Sequence, residues 1–231
     1  MNDASERIDI VIPVFRGELA VRRCLESVLA SEASSVADIV VVDDASPEPA
    51  ITDYLQTLAT ANKVTLLRHE HNQGFVASVN EAAALHPHRD FVILNADAEV
   101  AGDWLQRLQH HVACNDAVAT VTPFSNNATI ASFPKLVESN ALPRGETTGS
   151  LHTLFSSVNH QSAVDIPTAI GFCTLIRRAA WQEAAGFDTV FGRGYGEEVD
   201  FCCKLSASGW QHLLAADVFV FHEGGVSFGA E

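Results

Sequence analysis

The chain has 231 residues, 47% of them hydrophobic, with 14 basic against 29 acidic residues and a formal net charge of −15. That length fills one substantial core, and no stretch is low in complexity. The acidic balance, with no basic stripe to displace phosphate counterions, excludes a nucleic-acid backbone as the main partner. A phosphorylated small molecule remains compatible with it if a divalent cation and helix N-termini supply local positive charge.

The opening MNDASERIDIVIPVF is acidic with a very short apolar run, so it predicts neither a signal peptide nor a transmembrane span. Residues 7–15 (RIDIVIPVF) form a predicted buried strand closed by Pro13. Residues 18–31 follow as a helix, with Leu19, Cys24, Leu25, Val28 and Leu29 near helical spacing. A strand over 38–43, a short helix over 52–61 and a strand over 63–68 come next. They lead to a helix over 74–85, a strand over 90–94, a helix over 103–112 and a fifth strand over 117–121. Strands alternating with helices of this length read as βαβ units, which predicts an α/β fold with a mostly parallel sheet covered on both faces.

After Pro123 the rhythm changes. SNNATIASFPKL is polar and turn-rich, and the tract 144–150 precedes a predicted helix over 151–160. A strand over 171–177, a helical turn from Ala179, the glycine-rich GRGYGEEVDF, a helix over 199–207 and a closing strand over 213–221 complete the pattern. The end, FVFHEGGVSFGAE, is polar and glycine-rich and predicts no terminating helix. No linker composition separates the halves, so residues 1–231 are expected to form one domain. Residues 1–122 would be a nucleotide-type half and 123–231 the half that shapes a substrate pocket. The domain is either cut from a longer protein or naturally short. Cys24, Cys114, Cys173, Cys202 and Cys203 form no CxxC pair, which predicts reduced thiols in the cytosol.

In an open α/β sheet the ligand crevice lies outside the carboxyl ends of the strands. Asp43 and Asp44 close the second strand, with Ser46 beyond; Asn72 and Gly74 follow the third; Asn95, Asp97 and Glu99 follow the fourth; His222 closes the last. Asp97 with one imidazole is a reasonable ligand set for Mn2+ or Mg2+, the imidazole favouring Mn2+. The stretch LNADAEV reads equally as a strand running into Asx-capped turns. Asp43 and Asp44 are either turn residues or acceptors for a base N–H and a ribose hydroxyl. Gly74 in NQGF allows close backbone approach, whether to a nucleotide or to a helix start. Neither a GxxxxGK loop nor an early strand-linked GxGxxG is present.

In GRGYGEEVDFCCKLSASGW, Glu197, Glu198 and Asp200 stand where a helix begins. The helix terminus favours their charged form, suiting one of them to general-base work or all of them to capping. Arg193, and with less reason Arg178, is a phosphate contact or a solvated charge. Trp181 and Trp210 are acceptor-stacking or core residues.

Over essentially its whole length the chain resembles the family-2 glycosyltransferases with a GT-A-type fold. IVIPVF, VVVDDAS and NQGFVASVN resemble the donor-nucleotide half of that family. LNADAEV is similar to its DxD motif, with Asn95 in place of the first acid and Asp97 as the second. GRGYGEEVDF resembles its acidic catalytic tract, FVFHEGG its C-terminal histidine segment, and TPFSNNATIASFP with PTAIGFCTLIRR a bacterial surface-polysaccharide subgroup. The resemblance implies inverting, metal-dependent transfer from a nucleotide sugar (UDP favoured, dTDP or GDP open) to a saccharide or lipid-linked saccharide hydroxyl. It makes Glu198 the base, Asp97 and His222 the metal ligands, Asp43 and Asp44 the base and ribose contacts, and Pro13 to Phe15 a border of the nucleotide. It implies a cytoplasmic enzyme, at the inner face of the membrane if regions outside the chain anchor it. Glu198 stands where Asp is more usual. Two rival readings are a sugar-phosphate nucleotidyltransferase, which PVFRGELAVRR disfavours by lacking glycines, and a binding module without turnover.

Overall fold

The computed structural model describes residues 7–225. The expectations for the opening MNDASE and the closing VSFGAE therefore lie outside the described residues. The chain runs β1 (Ile8–Val14), α1 (Glu18–Ala30), α2 (Ala33–Val36), β2 (Ala37–Asp43), α3 (Pro49–Thr60), β3 (Thr65–Arg68), α4 (Phe75–Ala84), β4 (Phe91–Leu94) and β5 (Ala98–Glu99). It continues through α5 (Trp104–Ala113), β6 (Val118–Phe124), α6 (Thr148–Val158), β7 (Ala163–Asp165), β8 (Cys173–Ile176), α7 (Arg178–Glu183), α8 (Glu197–Ala207), β9 (Gln211–Phe219) and β10 (Phe221–His222).

The main sheet has the order β3-β2-β1-β4-β8-β6-β9-β7, and β10 pairs separately with β5. From β3 to β4 every pairing is parallel, as the βαβ rhythm predicts. Beyond β4 the sheet is mixed. β8 runs antiparallel to both β4 and β6, β9 is parallel to β6, and β7 lies antiparallel on the edge. The mixing follows from the broken rhythm after Pro123, because a strand that does not return through a crossover helix is free to run the other way.

Strand periodicity decides which residues face which layer. Ile8, Ile10, Ile12 and Val14 of β1, with Ile39 and Val41 of β2, pack in one core with Val21, Leu25 and Val28 of α1, Ile51 and Leu55 of α3, and Trp104, Leu105 and Leu108 of α5. Val11, Val40, Val42, Phe91 and Ile93 point to the opposite core, where Val76 and Val79 of α4, Trp181 of α7, and Phe201 and Leu205 of α8 cover them. Apolar runs buried on both faces are what a central parallel sheet requires. No helix among the described residues is long and apolar enough to cross a membrane.

Candidate active site

The carboxyl ends of the parallel strands open onto a cavity of about 520 Å3. Pro13 and Phe15 reach it from the end of β1, Asp44 from β2, Asn72 and Gly74 from the turn before α4, and Asn95 and Asp97 from the end of β4. Arg193 and Tyr195 enter from the glycine-rich loop, and His222 from β10.

His222 gets there through pairing distant in sequence. β10 lies antiparallel on β5, with His222 opposite Ala98, so the imidazole comes back beside the residue before β5. Its Nε2 stands 3.3 Å from Asp97 Oδ1, and both side chains are largely buried. Its Nδ1 lies 2.6 Å from the Asn127 carbonyl oxygen, so Nδ1–H donates there and Nε2 faces Asp97. The Asn126 side chain accepts from the His222 amide at 2.8 Å and donates to its carbonyl at 3.0 Å, a substitute for strand pairing. Gly224 N–H donates to Asp97 Oδ2 at 3.1 Å. Gly224 has φ +79°, and a Cβ there would collide with Asn127 Nδ2. Burial opposes a charged His222 ring, yet the Asp97 carboxylate outweighs it and holds the pKa above the usual imidazole value. Asn126 and Asn127, in the turn-rich SNN stretch, carried no sequence signal beyond their turn propensity; only pairing across the fold gives them this task.

The two adjacent acids after β2 part ways. Asp43 is fully buried and does not line the cavity: Oδ1 accepts from Ser46 N–H at 2.8 Å and Oδ2 from the Thr52 hydroxyl at 3.2 Å, with Arg68 Nε at 3.4 Å. Asp44 faces the cavity while binding Gln73 N–H at 2.7 Å and Gly74 N–H at 2.8 Å. Gly74 has φ 89° and ψ 172°, and its missing Cβ leaves room for the Arg193 backbone, whose Cα would lie 2.7 Å from such an atom.

The acidic tract opens α8 and sits beside the cavity rather than in its lining. A Cβ on Gly171 would lie 3.9 Å from the Glu198 carboxyl carbon. Gly171 precedes Phe172, whose ring stacks on His222 at 5.1 Å. Glu197 and Glu198 each keep a buried Oε2 with no hydrogen-bond partner among the described residues. Burial first, then the neighbouring Glu198 charge, pushes the Glu197 pKa up to about 7, so its surroundings outweigh the helix terminus that was expected to favour the charged form. Asp200 is held by Lys204 Nζ at 2.6 Å on the same helix. Trp181 is buried edge-on against Phe91, and Trp210 Nε1–H donates to Glu183. Arg178 lies at the far end of the sheet, its Nε donating to the Arg89 carbonyl at 2.6 Å.

That far end holds a second acidic group, Asp9, Asp38 and His86, with ligand atoms within 4.8 Å of one another. Arg89 Nη1 already stands 3.1 Å from Asp9 and 2.6 Å from Asp38, and Arg7 binds Asp38 as well. Two guanidinium groups supply the compensating charge, so a cation does not fit there.

The family model for glycosyl transferase family 2 matches residues 9–184. Polypeptide N-acetylgalactosaminyltransferase 14 of Homo sapiens is 32% identical over 117 residues, covering 51% of this chain and only 20% of its own length. The structure of GalNAc-T7 with UDP, GalNAc and Mn2+ matches with a TM-score of 0.70 at 18% identity, over 95% of this chain and 44% of that one. The mannosyltransferase PcManGT from Pyrobaculum calidifontis, in complex with GDP-Man and Mn2+, matches at 0.68 and 17% identity over 95% and 58%. The strand order, the crevice and the family match over most of the chain agree: the chain belongs to glycosyl transferase family 2 and has a GT-A-like α/β fold.

Proposed function

We propose that the chain transfers a sugar, with inversion at the anomeric carbon, from a nucleoside-diphosphate sugar to a hydroxyl of a saccharide or lipid-linked saccharide, in the cytoplasmic assembly of surface polysaccharide. The observation that carries this reading is the Asp97–His222 pair facing the cavity. Neighbouring ligands of a six-coordinate divalent ion with bonds of about 2.1–2.2 Å sit roughly 3 Å apart. Asp97 Oδ1 and His222 Nε2 are 3.3 Å apart, and the hydrogen bond at Nδ1 orients Nε2 toward the gap, where a bound ion would take the place of its proton. The residues fit, and the nitrogen–oxygen set suits Mn2+ better than Mg2+. When bound, the cation supplies positive charge against the departing diphosphate.

The remaining work belongs to the chain. Asp44 and Asn72, with Phe15 and Pro13, border the space for base and ribose, and Arg193 stands where it can meet a phosphate. The Glu198 carboxylate takes the proton of the acceptor hydroxyl as that oxygen attacks the anomeric carbon from the face opposite the diphosphate. The bond from that carbon to the diphosphate oxygen breaks, and its electron pair leaves with the nucleoside diphosphate. The buried Oε2 of Glu198 supports the role, since that oxygen has no hydrogen bond to give up before it takes a proton, while the carboxylate's hydrogen-bond neighbour is the Glu197 side chain. The two solved relatives hold Mn2+ with different nucleotides, which supports the cation and leaves UDP, dTDP and GDP sugars to be compared directly. Calorimetry of the three nucleoside diphosphates with and without Mn2+, followed by donor turnover with acceptor, tests the proposal. Metal-dependent binding of one nucleotide, with turnover lost in Glu198→Gln, is expected. Binding indifferent to Mn2+, or transfer with retained configuration, overturns it.

A further inference from the structure

His69 follows β3 and is buried between two acids. Its Nδ1 lies 2.6 Å from Asp44 Oδ1, and its Nε2 lies 2.6 Å from Glu81 Oε2 on α4. A neutral imidazole has one N–H, so at these separations its bare nitrogen would meet a carboxylate oxygen lone pair to lone pair. With both carboxylates ionised, the two contacts are satisfied only by the imidazolium. Burial opposes that charge, and the two carboxylates overcome it and hold the pKa above the ordinary 6.5. The charged groups facing the ring are Asp44 from the end of β2 and Glu81 from α4, while Arg68, beside it in sequence, is turned onto Asp43.

Asp44 Oδ1, which receives the ring, also receives the Gln73 amide, and Oδ2 receives the Gly74 amide. One carboxylate therefore joins the imidazolium to the 72–74 turn, and Asp44, Asn72 and Gly74 all line the cavity. We propose that His69 is a positioning residue for donor binding: its doubly protonated ring fixes Asp44, which keeps the 72–74 turn in place as a cavity wall. This rests on the nucleotide-sugar reading above. When the ring loses its proton, one of the two contacts becomes repulsive, the wall loosens, and nucleotide affinity falls while the bond-making step is unchanged.

The test uses the full chain with Mn2+ and the nucleoside diphosphate that binds best, measured by calorimetry across about pH 5.5–9, the span in which imidazole titrates in such settings. Affinity is expected to fall about tenfold across the titration, the worth of one charge-assisted hydrogen bond. The loss should appear in KM for donor with kcat little changed. Glu81→Gln should move the fall to lower pH. His69→Asn, whose amide still donates to Asp44 but does not titrate, should flatten it. A wild-type pH profile in His69→Asn, or a fall that ignores Glu81→Gln, overturns the proposal. If no nucleotide binds at any pH, the donor reading fails instead. NMR then decides the positioning claim alone: the Gln73 and Gly74 amide signals titrate with the His69 ring if it holds and stay still if it does not.

Discussion

Replacing Gly74 by alanine tests how the crevice is closed. The backbone at φ 89° and ψ 172° is a region that costs a residue with a Cβ about 1–3 kcal/mol. The new Cβ would also lie 2.7 Å from Arg193 Cα and 2.9 Å from the Gly192 carbonyl oxygen, backbone atoms that no side-chain rotation moves aside. If the loop held its place, overpacking would add about 1–3 kcal/mol. The loop is the weaker partner: it is largely exposed, and Gly192, Gly194, Tyr195 and Gly196 all have positive φ, so it yields before the β2 end and α4 do. The expected stability loss is then the backbone cost alone, about 1–3 kcal/mol, or roughly 3–10 °C in Tm for a chain of this size. Nucleotide affinity should fall further, about tenfold, as Arg193 and Tyr195 leave the cavity. Gly145→Ala is the control, since that glycine has φ +88° and a methyl group added to it would meet nothing within 4 Å. Thermal unfolding and nucleotide calorimetry on both variants decide it. Equal effects of the two substitutions on both readouts would refute the argument that the loop packs on Gly74.

Glu198→Gln should keep nucleotide binding and lower transfer by about 10²–10⁴-fold, while Glu197→Gln, at a position already half protonated near neutral pH, should cost far less; steady-state kinetics in the reverse order would hand the proton to Glu197. Asn126→Ala removes both side-chain bonds that Asn126 makes to the His222 backbone and should weaken Mn2+ binding about 10–100-fold, read by EPR titration of the free ion; unchanged affinity would show that these bonds do not position the cation site. Asp217 bears on acid stability: burial alone would raise its pKa, but His111 at 2.8 Å, Arg107 at 3.1 Å and the Gln161 amide outweigh burial and lower it below 3.8. Its contribution is therefore present above pH 3.8 and disappears as pH falls through the folded value. Asp217→Asn should cost about 3–5 kcal/mol near neutrality and make the loss of stability below about pH 4 shallower, measured as urea midpoints against pH; parallel curves would show that this group does not drive the acid limb.

The parallel half of the sheet was legible because its signals are local. Alternation within IDIVIPV and DIVVVD places successive residues on opposite faces, and helices at βαβ spacing dictate parallel strands, so Asp44, Asn72 and Asp97 collect at one end by topology alone. What spacing does not carry is pairing between distant segments. Antiparallel β8, the junction of β10 with β5 that sets His222 beside Asp97, and the Asn126 bonds that hold it there depend on contacts across about 100 residues, which no local period encodes. Neighbouring acids show the same division. Asp43 and Asp44 look alike in the chain, but Ser46, Thr52 and Arg68 engage one while the 72–74 turn and His69 take the other. Asp200 similarly goes to Lys204, and Glu197 gains its proton from burial against Glu198. Residue type and order settle which chemical groups are present at the strand ends; the environment that assigns each one a charge and a partner exists only once the chain is folded.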